Sequence, residues 1–81
     1  MRARITISLK AGVLDPQGKA IEGALTGLGF QEVTGARQGK VIELDLSGDA
    51  AKEAAEARVR DMCEALLANT VIENYQIEML P

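Results

Sequence analysis

Residues 10–30 read Lys-Ala-Gly-Val-Leu-Asp-Pro-Gln-Gly-Lys-Ala-Ile-Glu-Gly-Ala-Leu-Thr-Gly-Leu-Gly-Phe, and they mark where a strand stops and a helix begins. Asp15 can accept hydrogen bonds from the free amides of a first helical turn. Pro16 suits the next position because its ring fixes φ and its missing N–H loses nothing there. Ile21, Ala24, Leu25 and Leu28 then recur at i, i+3, i+4 and i+7, the spacing of one buried helical face. Gly29 supplies the left-handed residue that closes such a helix, and Phe30 is placed to fold back onto Leu25. A helix from Pro16 to about Leu28 follows.

Working outward from this helix, Arg2 to Lys10 alternates strictly. Ala3, Ile5, Ile7 and Leu9 fall on one side and Arg2, Arg4, Thr6, Ser8 and Lys10 on the other, as in a half-buried strand. Downstream, Gln31 to Gln38 is a weaker extended segment broken by Gly35. A turn at Gln38-Gly39 then leads into Lys40–Leu46, where Ile42, Leu44 and Leu46 face one way, and together these two segments predict a hairpin. Ser47-Gly48-Asp49 offers capping side chains ahead of an Ala- and Glu-rich helix to about Ala68. Its buried stripe is expected to hold Ala55, Val59, Met62, Cys63, Leu66 and Leu67, with Glu56 and Arg60 as an exposed i,i+4 pair. Asn69 is the expected left-handed stop. Val71–Leu80 closes the chain as a strand with Tyr75, Ile77 and Met79 inward.

The order βαββαβ predicts an α+β chain whose residues 1–81 form a single domain. The expected architecture is a ferredoxin-like two-layer sandwich, a four-stranded antiparallel sheet with two helices on one face. In the usual strand order, Arg2, Arg4 and Lys10 lie between Glu43 and Asp45 on one side and Glu78 on the other, forming cross-strand charge pairs. The open face and the two exposed sheet edges predict self-association as a homodimer or larger assembly.

Composition narrows the function. With 81 residues the chain holds one thin core and no room for a deep cleft between lobes. Hydrophobic residues make up 47% of it, yet there is one Phe, one Tyr and no Trp, so the core must be aliphatic. A net charge of −3 argues against nucleic acid, which requires clustered positive charge. No apolar run is long enough to span a membrane, the N-terminus lacks a continuous apolar stretch, and the single cysteine cannot form an internal disulfide. These features predict a cytoplasmic protein.

Catalytic chemistry is sparse. The absence of histidine removes Ser-His and Cys-His nucleophile pairs and His-containing metal sites within one subunit. Cys63, on the apolar stripe of the second helix, reads as a small buried hydrophobe. Glu53, Glu56, Asp61 and Glu64 alternate with Lys52, Arg58 and Arg60 as a solvated helix face does. The Gly12–Gly18 loop fits neither the dinucleotide nor the P-loop spacing, and Asp15 would repel a phosphate from the helix N-terminus. No catalytic residue, cofactor site or metal site is expected in this chain. The loops remain as contact surfaces: Gly12, Asp15, Pro16, Gln17, Gly18 and Lys19 in the first, and Arg37, Gly39 and Lys40 at the hairpin.

Lys10 to Ile21, with Ala24-Leu25 and Leu28-Gly29-Phe30, resembles the opening of the PurS family, the small subunit of phosphoribosylformylglycinamidine synthase. Arg37-Gln-Gly-Lys-Val-Ile-Glu-Leu44 is similar to its central hairpin. Cys63-Glu-Ala-Leu-Leu-Ala-Asn69, with Val71-Ile-Glu73 and Tyr75, is similar to its C-terminal block. Asn69-Thr70 stands where the family commonly has Asn-Pro, and Asn74 where an acidic residue is common. The resemblance implies a complex that converts formylglycinamide ribonucleotide, glutamine and ATP to formylglycinamidine ribonucleotide in purine biosynthesis. It implies a glutaminase partner, PurQ, that releases ammonia, and a synthetase partner, PurL, that binds ATP with magnesium. The small subunit, as a dimer, would bridge the two without catalysing either step.

Other classes share the βαββαβ order. An ACT-type regulatory module, which senses small molecules, would bind an amino acid at a dimer interface. An acylphosphatase-like enzyme would need an Arg in the first strand–helix loop, and Ala11–Gln17 contains none. An RNA-binding sheet would expose aromatics where Thr6, Ser8, Glu43 and Asp45 stand.

Overall fold

The alternation of β1 (Arg2–Leu9) places it at the centre of an antiparallel sheet, as the computed structural model shows; the structure describes residues 1–48 and 50–81. The sheet order is β2-β1-β3, with β2 spanning Lys40–Asp45 and β3 spanning Glu73–Leu80. Ile5 pairs with Ile42 on one side and Ile77 on the other, and Ala3 lies between Leu44 and Met79. One face of the sheet is therefore apolar and the other polar.

Helix α2 (Lys52–Met62), continued by a π-helical turn at Cys63–Leu67, lays Val59 and Cys63 on that apolar face. Ala3, Ile5, Ile7, Val59 and Cys63 are almost wholly buried, with Leu67, Tyr75, Ile77 and Met79 packed around them. The Ala68 amide reaches back to the Cys63 carbonyl at 3.1 Å, a five-residue loop that widens the last turn. The wider turn keeps Leu67 on the core and swings Leu66 outward. Leu66, expected on the buried stripe, is 83% exposed.

The ends of α2 also differ from expectation. Ala51 precedes the helix without a side-chain cap, and Asp49, one of the expected caps, lies outside the described residues. Asn69 does not adopt the left-handed conformation. Its side chain accepts the Val71 amide at 3.2 Å, while its carbonyl accepts those of Ile72 and Glu73, so an Asx turn leads into β3.

Helix α1 (Pro16–Gly27) forms where Asp15-Pro16 predicts. At its other end Gly29, with φ +104°, donates to the Thr26 carbonyl, and the Phe30 amide donates to that of Leu25, the Schellman pairing. Its position departs from expectation. The two helices do not share one face of the sheet: α1 projects away as an arm, with Ile21 41% and Leu28 75% exposed. The chain extends 51 Å with a radius of gyration of 16.3 Å, whereas a compact chain of this length would give about 12 Å.

The sheet has three strands among the described residues, not four, because Gln31–Gln38 forms no ladder. This segment has no alternating apolar set to bury and carries Gly35 in its middle, so a sheet face gains little from it. Gln31 instead donates to the Thr26 carbonyl, and the segment returns past Glu22 towards the sheet. The expected hairpin is therefore absent, while the expected pairing of β2 with β1 is present.

The polar face carries the expected ladder. Arg2 meets Asp45 at 3.1 Å, and Arg4 meets Glu43 at 3.4 Å and Glu78 at 3.2 Å, while Lys10 falls beyond the end of β1. Truncating the two faces of β1 should have unequal effects. Ile5→Ala is expected to lower stability by about 2–5 kcal/mol and Arg4→Ala by roughly 1 kcal/mol or less, both read from urea unfolding midpoints; equal effects would contradict this placement of the core.

Candidate functional site

The loops that sequence reading singles out, Gly12–Lys19 and Arg37–Lys40, meet at the joint between sheet and arm. The outgoing chain turns at Lys10–Val13, where the Val13 amide donates to the Lys10 carbonyl at 3.1 Å and Gly12 has φ +87°. Asp15 follows as the cap of α1 and is 5% exposed. One carboxylate oxygen accepts the Gly18 amide at 2.8 Å, closing the first helical turn. The other accepts the Gln38 amide at 2.7 Å, on the chain returning from the arm.

Arg37 completes the joint. Its guanidinium donates to the carbonyls of Leu9 at 3.3 Å, Lys10 at 3.1 Å and Val13 at 3.0 Å, so the returning chain holds the outgoing one. The same cation faces Asp15. The hydrogen bonds from Gln38 and Gly18, helped by Arg37, hold the Asp15 carboxyl below its ordinary value of 3.8 against the opposing effect of burial. Gly18 is required here because a Cβ would collide with the Ala36 carbonyl and the Asp15 carboxylate.

The remaining loop residues occupy the rim. Pro16 is the first residue of α1, Gln17 lines an open cleft with Gln38 and Glu73, and Lys19 pairs with Glu22 at 3.6 Å. Gly39 passes close to the Ile7 carbonyl, and Lys40 opens β2 with its ammonium 3.9 Å from Glu73. Asp15 and Arg37 are thus committed to bonds within the chain, while Gln17, Lys19 and Lys40 present polar groups outward.

The family described as PurS, phosphoribosylformylglycinamidine (FGAM) synthase, matches residues 2–81. The chain belongs to the PurS family. It is similar to the phosphoribosylformylglycinamidine synthase subunit PurS of Bacillus subtilis, at 42% identity over 96% of this chain and 90% of that one. The solved structure of PurS from Methanocaldococcus jannaschii superimposes with a TM-score of 0.84 at 39% identity, covering 95% of this chain and 92% of the other. A chain in the structure of PurLQS from Thermotoga maritima superimposes with a TM-score of 0.86 at 34% identity, covering 98% and 95%.

No cluster of His, Cys, Asp or Glu among the described residues could hold a metal ion. Among the described residues, no helix is long and apolar enough to cross a membrane. Cys63 is buried, and its surroundings together with the neighbouring Glu64 push the thiol above its ordinary value, away from the reactive thiolate. The Tyr75 hydroxyl donates to Glu64 at 2.7 Å, a bond that raises its own value and ties β3 to the π-helical turn. What sequence reading missed is the bond from Gln38 to Asp15. The Asp-Pro pair signals a cap, but a second acceptor role across 23 positions leaves no local trace.

Arg37 faces the Asp15 carboxylate, with Lys19 and Glu22 on the arm side of the joint and Lys40 and Glu73 on the sheet side. The unfolded chain takes up the Asp15 proton near 3.8, the folded chain at lower pH. The bonds to Gly18 and Gln38 therefore contribute fully above the unfolded value and are lost as pH falls through the folded one. The Gly18 and Gln38 amide resonances are expected to titrate together with a midpoint below 3.8. A midpoint at or above that value would contradict the arrangement.

Proposed function

We propose that this chain is the non-catalytic subunit of phosphoribosylformylglycinamidine synthase, an ATP-dependent amidotransferase of purine biosynthesis, and that it bridges the synthetase PurL and the glutaminase PurQ as a homodimer. The observation that carries the structural side of this reading is the arm. Ile21, Leu25 and Leu28 form an apolar stripe that the chain itself leaves largely uncovered. The likeness to a chain of the Thermotoga maritima PurLQS structure supports the two partners. The chemistry belongs to those partners, with ATP and magnesium in the large one, and the complex works in the cytoplasm. The outward groups of the joint, Gln17, Lys19 and Lys40 on the rim formed by Gly12, Pro16 and Gly39, are the proposed contacts to them.

The dimer follows from two complementary gaps. Helix α2 packs on β3, and no described element extensively covers β2, whose Ile42 and Leu44 stay partly exposed. An arm roughly 18 Å long from a second copy would place its stripe over that half of the sheet. The reciprocal arm would do the same, giving the two-fold interface usual for homodimers. Each sheet would then carry two helices on one face, with Gln31–Gln38 as a fourth strand on a free edge. In this form the ferredoxin-like single domain of residues 1–81 is completed by two chains. Burying three aliphatic side chains per arm contributes roughly 1.5–3 kcal/mol each.

Light scattering is expected to give twice the chain mass of 8.6 kDa for the native protein at micromolar concentration and a single chain mass for Leu25→Asp. A native monomer would overturn the dimer. In an assay with PurL and PurQ, glutamine-dependent product formation is expected to require this chain. Formation from added ammonium is expected to continue without it, since the synthetase chemistry lies elsewhere. Undiminished glutamine-dependent activity in its absence would remove the bridging role.

A further inference from the structure

Two passages of chain connect the arm to the sheet, Lys10–Asp15 outward and Ala36–Gly39 inward. None of the fully buried apolar residues described belongs to either passage: Leu14 is 71% exposed, Val13 and Ala36 are half-buried, and the described core lies between β1 and the helix α2 with its π-helical turn. The crossing is held by polar groups with few alternatives. Arg37 ties three carbonyls of the outgoing chain, and all three bonds lie on the sheet side of Asp15. Asp15 alone among the described side chains bonds to both the first turn of α1 and the returning chain. A buried carboxylate with an acceptor oxygen on each of two segments fixes their mutual angle, because both bonds are charge-assisted and directional.

We infer that Asp15 is the positioning residue of the arm: beyond capping α1, its second carboxylate oxygen locks the helix direction relative to the sheet through the Gln38 amide. The consequence for self-association rests on the proposed dimer, because an arm of fixed direction reaches a second copy without first losing orientational freedom. The lock itself does not depend on that dimer.

The substitution that separates capping from locking is Asp15→Ser. Serine is a good cap and can still accept the Gly18 amide, but its single short hydroxyl cannot also serve Gln38. Nitroxide labels at Thr26 on the arm and Gln76 on β3, both exposed, in a Cys63→Ala background and diluted with unlabelled protein, report the angle as an intrachain distance. The parent is expected to give one narrow distance, and Asp15→Ser a distribution at least about twice as wide with helix content retained, because the bonded link between the first turn of α1 and the returning chain is gone. Its dimer dissociation constant is expected to rise roughly tenfold, the effect of one charge-assisted bond. Arg37→Gln, which leaves both carboxylate bonds in place, should keep the narrow distance.

A narrow distance in Asp15→Ser, or a broad one in the parent, overturns the inference. Broadening by Arg37→Gln equal to that by Asp15→Ser would transfer the role to Arg37 and likewise overturn it. Should Asp15→Ser unfold, Asp15→Asn provides the same test, since it retains one acceptor oxygen and turns an amide donor towards the second backbone N–H. A parent that is monomeric yet shows the narrow distance refutes the dimer and leaves the lock standing.

Discussion

Ile5 and Ile7 lie on the middle strand of the sheet, beneath Val59 and Cys63, and most of the structure depends on the burial of that one face. Without it neither edge strand would have an apolar partner, and α2 would have no surface to cover. The layer is narrow, since the strongly buried side chains come mainly from β1 and from α2 with its π-helical turn. Small chains are marginal for this reason: backbone ordering costs about as much as a thin core returns. The shape follows from it. Instead of folding every apolar residue into one centre, the chain keeps a small centre and extends Ile21, Leu25 and Leu28 away on an arm.

Elements defined by their own residues were legible in the sequence. The strict alternation of β1, the Asp15-Pro16 start, the Gly29 stop and the inward set Tyr75, Ile77 and Met79 all appear where periodicity and capping chemistry place them. What failed to carry over concerns where elements go. The apolar stripe of α1 requires burial somewhere, but spacing within a helix cannot distinguish its own sheet from a second copy's. The expected strand at Gln31–Gln38 rested on an extended, Gly-broken segment with no apolar alternation, and it makes no ladder. Leu66 was misplaced because a single π-helical turn shifts the phase after Cys63, and local propensity gives no sign of one extra residue in a turn.

At the candidate site, the two loops that sequence reading brought forward meet at one crossing, for a reason that reading did not contain. It treated Asp15 as a cap and a contact residue of the first loop, and Arg37 as a contact residue of the hairpin. The fold brings both to one crossing and uses them on backbone groups. Neither bond could be inferred from spacing, because each joins segments more than twenty positions apart and involves main-chain atoms that every residue possesses. The resemblance to a known family supplied the function where residue chemistry could only remove alternatives.

The polar face shows how such a subunit can be specific without being strongly held together. Arg2 and Arg4 sit opposite Asp45, Glu43 and Glu78, all substantially exposed, so each pair contributes little net stability. Their effect is on register: sliding β2 or β3 by one position would carry the charges to the other face and set them against Ile5 and Ile7. The same division runs through the molecule. Apolar burial supplies what stability there is at the centre, charge pairs select the strand alignment, and a buried carboxylate bonds the arm's first turn to the returning chain. The proposed dimer draws on this separation, because an apolar arm left open to a second copy is useful only while the scaffold that aims it stays fixed.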